Sequence, residues 1–198
     1  SERNHNLPIT NHHILEHNET TKKFYGIIPI EFSASMLYFH HKGIVQNLIH
    51  NLKYKNHQEV GSLLGKWYAK DLETVSQIKT VSEIIPVPLH KKRLEERGYN
   101  QVTTFCEALS NELKIPYNPD LLYRSRYSKT QTKKDKENRK DIANSLFDVN
   151  FTEADHNKHF LLVDDVMTSG ATLESCAKAL LKIPNSKVSV VTIAYTLS

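Results

Sequence analysis

Two adjacent carboxylates followed by a run of small, hydroxylated residues are the strongest chemical feature of this sequence. Asp164 and Asp165 come directly after the apolar run Phe160–Val163, and the loop Thr168–Thr172 follows two residues later. At roughly 6 Å and an effective dielectric constant of 20, two ionised carboxylates repel each other by about 3 kcal/mol. A strand end with a purely structural role gains nothing from that repulsion, so the pair indicates a ligand-binding site.

The residues around this loop predict a strand, a loop, a helix and a second strand. Phe160–Val163 is a continuous apolar run, as expected for a parallel strand that is buried on both faces. After the loop, apolar residues recur at helical spacing, at Leu173, Cys176, Ala177, Leu180 and Leu181. Pro184 ends that helix, and Lys187–Tyr195 has the β-branched composition of another buried strand. This order is that of a βαβ crossover.

The loop after the carboxylates has the chemistry of an anion site. Its hydroxyl groups donate hydrogen bonds, and the start of the following helix offers free backbone N–H groups. Ligands of parallel α/β sheets bind at the carboxyl ends of the strands. A ribose 5-phosphate matches this layout, because its cis-diol suits Asp164 and Asp165 and its phosphate suits the loop. The residues assigned to phosphate are Val166, Met167, Thr168, Ser169, Gly170, Ala171 and Thr172.

Alternative assignments of residues 160–173 fit the sequence less well. One alternative is a surface turn with a capping Thr and two solvated Asp residues. It does not explain why an apolar strand before the pair, a loop of fitting length and a helical pattern after it occur together. The sequence contains no GxxxxGK[ST] and no GxGxxG motif. A response-regulator receiver also has a strand that ends in Asp-Asp, but too few residues follow Asp165 for the remaining βα units of such a domain.

Two stretches of the chain resemble known families. LLVDDVMTSGATL, residues 161–173, resembles the phosphoribosyl pyrophosphate (PRPP) signature of type I phosphoribosyltransferases. IIPVPLHKKRLEERGYNQ, residues 84–101, is similar to a segment of the ComF competence-protein family, which includes GntX-like proteins. A weaker similarity covers Arg124–Phe147, with Thr130, Gln131 and Arg139 in family-like places. The resemblance extends from about Phe39 to the C-terminus.

The resemblance implies an α/β fold of the type I phosphoribosyltransferase kind, a doubly wound parallel sheet of about five strands with flanking helices. It assigns residues 39–198 to that domain and residues 1–38 to an N-terminal extension. Lys187–Tyr195 should lie beside Phe160–Val163 or one strand away. Many ComF relatives carry an N-terminal four-Cys zinc module that this chain lacks, so zinc is not expected. The spacing of the remaining histidines matches no structural zinc site, namely His5, His12, His13 and His17.

The resemblance also implies a pyrophosphate site after the predicted strand Thr80–Val87. Its loop would be Pro88–Arg93. The cations there would balance the negative charge of the pyrophosphate, which backbone N–H groups alone could not fully balance. The residues assigned to pyrophosphate are Lys92, Arg93, Arg97 and Arg139. Mg²⁺ would enter with PRPP and bridge its diol and pyrophosphate, with no metal held by the protein itself. Asp164 and Asp165, the residues assigned to catalysis, would orient C1 of the ribose.

Composition limits the classes of protein. The chain has 198 residues, 39% of them hydrophobic, which is enough for one domain with a real core. No apolar window is long enough to span a membrane, and no signal-peptide pattern is present, so a cytoplasmic location is expected. Cys106 and Cys176 fall on the apolar faces of predicted helices, which favours buried, reduced thiols.

Two functions remain open at this stage. The ComF resemblance implies a protein that binds PRPP or a nucleotide and acts in DNA uptake and natural transformation, with DNA-uptake proteins and single-stranded DNA as partners. Basic and aromatic residues could then contact the DNA, the candidates being Lys53, Tyr54, Lys133, Lys134 and Lys136. Alternatively, the protein is a true transferase that moves ribose 5-phosphate from PRPP to a nucleobase or another small acceptor in nucleotide metabolism. The sequence shows no recognisable nucleobase pocket, and it leaves open whether catalysis occurs.

Overall fold

The computed structural model describes residues 7–53, 57–125 and 146–197. Five of the predicted site residues lie outside these ranges, namely Tyr54, Lys133, Lys134, Lys136 and Arg139. The helices are α1 (Glu19–Lys22), α2 (Ile44–Leu52), α3 (Glu59–Leu72), α4 (Lys91–Arg97), α5 (Thr103–Leu113) and α6 (Ala171–Leu180). The strands are β1 (Ser33–Phe39), β2 (Glu83–Pro86), β3 (Leu122–Arg124), β4 (Phe147–Val149), β5 (His159–Met167) and β6 (Lys187–Thr196).

Four of the described strands form one parallel sheet in the order β1-β6-β5-β2. β6 pairs directly with β5, which is one of the two positions that the sequence allowed. Beyond β2, Ile84 makes a single parallel bridge with Tyr117, so the chain around residue 117 extends the sheet edge without a further regular strand. The parallel α/β class is therefore confirmed, with four described strands where about five were expected.

Helices cover both faces of the sheet and create two cores. Helices α2, α3 and α5 pack on one face, against side chains such as Leu161 and Val163. Helix α6 and the antiparallel hairpin β3–β4 pack on the other face, against Leu162 and Val190. Because successive strand residues point to opposite faces, a strand between two cores is largely apolar along its whole length. None of the helices within the described ranges has the length and apolar character needed to cross a bilayer.

The two cysteines lie one in each core. Cys106 on α5 and Cys176 on α6 are both free thiols with no solvent exposure. Burial raises the pKa of both thiols above the ordinary value, so neither is a ready nucleophile. The prediction of buried, reduced cysteines is confirmed.

The first sheet strand begins before the domain boundary that the sequence suggested. β1 pairs with β6 from Ser33 to Phe39, so a boundary at residue 39 would cut through a strand of the sheet. The chain before β1 is also bonded to the sheet, since the Tyr38 N–H donates to the Pro8 carbonyl at 2.8 Å. Ser35 is fully buried, and its hydroxyl is satisfied because its Oγ lies 2.5 Å from Thr192 Oγ1 on β6. Buried polar residues of this kind interrupt the apolar pattern of β1, so the sequence pattern did not reveal the strand.

Two element limits near the candidate site differ from the sequence prediction. β5 continues to Met167, so Asp164 and Asp165 lie within the strand rather than after it. The pairing with β2 nevertheless stops at Val163, and beyond that point only β6 flanks β5. The residues from Lys91 to Arg93, predicted as part of a loop, form the first turn of α4.

Candidate functional site

Asp164 and Asp165 lie side by side where β5 extends beyond β2. Asp164 Oδ1 accepts the Asp165 N–H at 2.8 Å, and Asp165 Oδ1 accepts the Val166 N–H at 2.8 Å. Removal from water, reinforced by the negative Asp165 beside it, raises the pKa of Asp164 well above its usual range. A ligand that brings hydroxyl donors or a cation to this pair would relieve that unfavourable charge.

The loop from Thr168 to Thr172 joins β5 to α6 and encloses a small cavity of about 50 Å³. Gly170 precedes α6 with φ of +84°, a left-handed conformation that glycine adopts without steric penalty. Its carbonyl accepts the Glu174 N–H at 2.8 Å, which starts the helix. Since the first N–H groups of a helix lack intrahelical partners, this cavity has the character of an anion site.

Two of the residues assigned to phosphate, Met167 and Gly170, also have structural roles. Met167 borders the loop cavity, but it is only 1% exposed and its side chain packs in the core with residues of α6. A Cβ at Gly170 would lie 3.4 Å from Lys23 Cβ, so that direction faces the N-terminal segment. The glycine is therefore required for its backbone conformation rather than for room at the ligand.

Lys23 is a candidate that the sequence reasoning missed. Its side chain borders Gly170, and its ammonium lies 5.8 Å from the centroid of the Tyr195 ring. Asn18 fixes the helix that ends just before Lys23, because Asn18 Oδ1 accepts the Thr20 N–H at 2.9 Å and its Nδ2 donates to the Ser33 carbonyl at 2.7 Å. An Asn before a helix predicts a cap, but that signal does not reveal that the helix folds back against the loop.

A short hydrogen-bonded chain connects Asp165 to the basic side of the site. Arg97 Nη1 donates to Gln101 Oε1 at 2.5 Å, and Gln101 Nε2 donates to Asp165 Oδ2 at 3.4 Å. Arg97 ends α4, the helix that follows β2. The carboxylate pair on β5 and a guanidinium from the neighbouring flank are thus in one network.

Neighbouring residues of the same sequence stretch anchor this network. Gly98 has φ of +80° and ends α4. The Tyr99 hydroxyl donates to the carbonyl of Leu52 at the end of α2, at 3.0 Å. Asn100 Nδ2 donates to the Val87 carbonyl at 2.9 Å, just after β2. These bonds fix the turn that presents Gln101 to the carboxylates.

Two other cations assigned to pyrophosphate, Lys92 and Arg93, also lie on α4. Lys92 and Arg93 are exposed on α4, and Lys92 Nζ lies 4.0 Å from the Glu96 carboxylate, one turn along the helix. Their role toward pyrophosphate stays a prediction. Lys53, in contrast, lines a second cavity together with Val166 and Thr168, so this predicted residue is close to the loop.

The histidine-rich N-terminal segment has no metal-site geometry among its described residues. His12 is fully buried, with its Nε2 2.9 Å from the Glu19 carboxylate and its Nδ1 accepting the Ser35 N–H at 3.3 Å. Burial lowers the pKa of His12 from its usual value. Within the described ranges, no group of three or more His, Cys, Asp or Glu side chains is placed to hold a metal ion.

The part of the chain that matches a known protein family includes Asp164 and Asp165. The model of the phosphoribosyl transferase domain family matches residues 103–198. Competence protein F of Haemophilus influenzae is 29% identical over 147 residues, which cover 72% of this chain and 64% of that protein. The DNA utilization protein YhgH of Escherichia coli K12 is 28% identical over 153 residues, covering 76% of this chain and 66% of that protein. The chain therefore spans slightly less than two thirds of these relatives.

Solved structures with some similarity include two phosphoribosyl enzymes. Glutamine PRPP amidotransferase from Bacillus subtilis has a TM-score of 0.46 and 16% identity, covering 67% of this chain and 26% of that one. Adenine phosphoribosyltransferase from Leishmania donovani has a TM-score of 0.41 and 13% identity, covering 69% and 65% respectively.

The parallel sheet, with the paired carboxylates on β5, and the family match over residues 103–198 confirm the predicted fold of the phosphoribosyltransferase type. Similarity to competence protein F and to the DNA utilization protein YhgH extends over most of the sequence. These similarities bear out the resemblance to the ComF competence proteins that the sequence indicated.

Proposed function

We propose that this chain is a phosphoribosyltransferase-like protein that binds PRPP or a ribose-phosphate nucleotide and acts in DNA uptake and natural transformation. The observation that carries the binding half of this proposal is the position of Asp164 and Asp165 beside the Gly170 loop. Carboxylates accept hydrogen bonds from the ribose diol, and the helix start takes the 5-phosphate. The biological half rests on the names of the relatives, a competence protein and a DNA utilization protein. That role would place the protein in the cytoplasm.

Mg²⁺ fits this site as an ion that arrives with PRPP. It prefers oxygen ligands and keeps several ligand or water oxygens rather than a dedicated protein cage. Two adjacent carboxylates, without a larger acidic group in the described residues, suit that mode. Bound Mg²⁺ would neutralise charge between diol and pyrophosphate. Asp164 and Asp165 would orient the ribose. Arg97, which is hydrogen-bonded to Gln101 and through it connected to Asp165, would contact the pyrophosphate.

The binding proposal is tested by changing the carboxylates without changing their shape. Replacing both, Asp164→Asn and Asp165→Asn, should weaken PRPP with Mg²⁺ by at least about tenfold, since hydrogen bonds to charged groups contribute roughly 1.5–3 kcal/mol. Inorganic phosphate should bind nearly as before, because it offers no diol. Isothermal titration of both ligands provides the comparison. An equal loss for the two ligands would show that the carboxylates are structural.

A different cleft of the protein supports the proposal that it binds DNA. Tyr123 is 44% exposed and lines a cleft of about 450 Å³ together with Tyr117, Lys91 and Arg124. Proteins bind single-stranded DNA by stacking its bases on aromatic rings and by contacting its phosphates with nearby cations. The predicted contacts in residues 126–145 lie outside the described residues and remain part of the proposal.

Salt dependence separates DNA binding from PRPP binding. Affinity for a single-stranded oligonucleotide should fall steeply with salt, because each neutralised phosphate releases counterions. Changing Lys133, Lys134 and Lys136 to Ala should flatten that slope by roughly the number of phosphates they contact, and PRPP affinity should change little. A weaker PRPP affinity with an unchanged DNA slope would instead assign these lysines to the pyrophosphate.

A further inference from the structure

A second cavity lies next to the loop, on the flank of β5 that is opposite to α4. It has a volume of about 350 Å³ and opens between α2 and the carboxyl ends of β1, β5 and β6. Phe39 and Thr196, the last residues of β1 and β6, are register partners at its floor. A volume of that size falls within the range of small-molecule sites.

This cavity and the loop cavity share two residues, Val166 and Thr168. One ligand can therefore place its phosphate on the loop and another part of itself in the larger cavity. In the sheet order, β2 and the cations of α4 flank β5 on one side, whereas β6 and β1 flank it on the other. At C1 of a ribose, the pyrophosphate of PRPP and the ring of a nucleotide occupy opposite faces, so the cavity lies on the side of the ring.

The lining of this cavity selects for a flat, acidic group. Phe39, Ile49 and Val166 supply apolar and aromatic surface. Lys53 is a cation, and His41 and His50 carry imidazoles. No Asp or Glu is among the residues that line the cavity in the described part of the chain. An amino group on a ligand would thus find few acceptors there, whereas a carboxylate would find several donors.

The orientation of Gln46 adds to this preference. Gln46 Oε1 accepts the backbone N–H of Lys42 at 2.5 Å, which leaves the amide nitrogen as the donating end of the side chain. Gln46 lines the cavity, and the hydroxyls of Thr168 and Thr196 can donate as well as accept hydrogen bonds. The Lys53 ammonium and the Gln46 amide N–H groups can therefore both donate to an acidic group.

We infer that this cavity is a subsite for a planar ring that carries an acidic substituent, with Lys53 as the residue that recognises the acid. The inference rests on the proposed binding of a ribose phosphate at the adjacent loop. Two kinds of ligand carry a planar ring with an acidic substituent. One is a nucleotide with such a ring, and the other is a free ring that binds beside PRPP. The neutral bases of DNA do not carry this acid, so the subsite would not select a DNA base.

The test uses ligand pairs that differ only in charge at one substituent. Nicotinate mononucleotide should bind about fivefold more tightly than nicotinamide mononucleotide, as expected for one partly exposed ion pair of up to about 1 kcal/mol. Free nicotinate and nicotinamide, each titrated with PRPP and Mg²⁺ present, form the second pair. Preference for acid in the nucleotide pair assigns a nucleotide ring, and preference in the free pair assigns a separate acceptor. Either result supports the subsite.

Matched variants identify the residue responsible. Lys53→Met should abolish the acid preference, whereas Lys70→Met, an exposed lysine on α3, should leave it intact. Both lysines are exposed, so neither change should disturb the fold. Equal affinity for acid and amide in both pairs, or a preference that survives Lys53→Met, would overturn the inference. Ribose 5-phosphate is titrated alongside, because loss of its binding would instead count against the proposed function.

Discussion

The Gln101 side-chain amide donates to Asp165 Oδ2 at 3.4 Å and at the same time accepts from Arg97 Nη1 at 2.5 Å. Gln101 stands at the turn before α5, and Asp165 stands on β5. The arrangement makes Gln101 a positioning residue, because it sets the orientation of a carboxylate through one end and of a guanidinium through the other.

Replacement of Gln101 by Leu should therefore lower PRPP affinity by about tenfold, given roughly 1.5 kcal/mol for a hydrogen bond to a charged group. Gln101→Glu should lower it further, because a third carboxylate would stand beside Asp165. Isothermal titration with Mg²⁺-PRPP gives the affinities. The control is Gln77→Leu, in the turn before β2 at the opposite end of the sheet. PRPP affinity that is equal in Gln101→Leu and the parent protein would remove Gln101 from the site.

The backbone of Gly170 should determine whether the loop can bind phosphate. Gly170→Val forces a branched residue into φ of +84° and should distort the loop. Ribose 5-phosphate affinity should then fall by about fivefold or more, as expected for strain of roughly 1–3 kcal/mol. Gly170→Asn is the matched control, since Asn tolerates the left-handed region. The measurements are titration calorimetry and thermal melting, and full affinity in a folded Gly170→Val protein would place the phosphate elsewhere.

Lys23 should contribute charge to the loop from the N-terminal segment. Lys23→Met keeps the aliphatic stem that packs near Gly170 but removes the ammonium, and ribose 5-phosphate affinity should fall by about threefold, typical of one partly exposed charge pair. Lys22→Met, on the last residue of α1 and exposed, should have little effect. The two variants are compared by titration at low and moderate salt. Matching behaviour of Lys22→Met and Lys23→Met would contradict a specific role for Lys23.

Asp164 should reduce the stability of the ligand-free protein at neutral pH. Because the pKa of Asp164 is raised in the fold, the folded protein holds this proton more tightly than the unfolded chain. The free energy of unfolding contributed by this group therefore falls as pH rises from the ordinary aspartate range through the raised pKa, and the penalty is complete above it.

Asp164→Asn keeps the oxygen that accepts the Asp165 N–H and removes the charge. Its melting temperature at neutral pH should exceed that of the parent by a few degrees, since each kcal/mol shifts Tm by about 2–4 °C in a domain of this size. The difference should shrink in acid. Melting curves across pH test this, with exposed Asp120→Asn as the control. A constant difference at every pH would mean that the charge of Asp164 is not the cause.

The sequence by itself determined the β5–α6–β6 unit and the chemistry of its loop. The apolar run, the helical spacing and the single glycine are all local signals, and they identify elements whose residues are near neighbours in the chain. The presence of β6 in the same parallel sheet as β5 followed from the rule that a crossover joins parallel strands of one sheet, whereas their direct pairing is seen only in the structure. The buried cysteines followed from helical periodicity in the same way.

Only the tertiary structure decided which distant residues meet at this site. Gln101 contacts Asp165 across 64 positions of the chain, and Ser35 contacts Thr192 across 157. Lys23 likewise borders the loop from an N-terminal segment that carries no local sign of it. The physical reason is that a periodic pattern reports how a segment buries itself, whereas the partner of a polar group is set by the packing of the whole sheet.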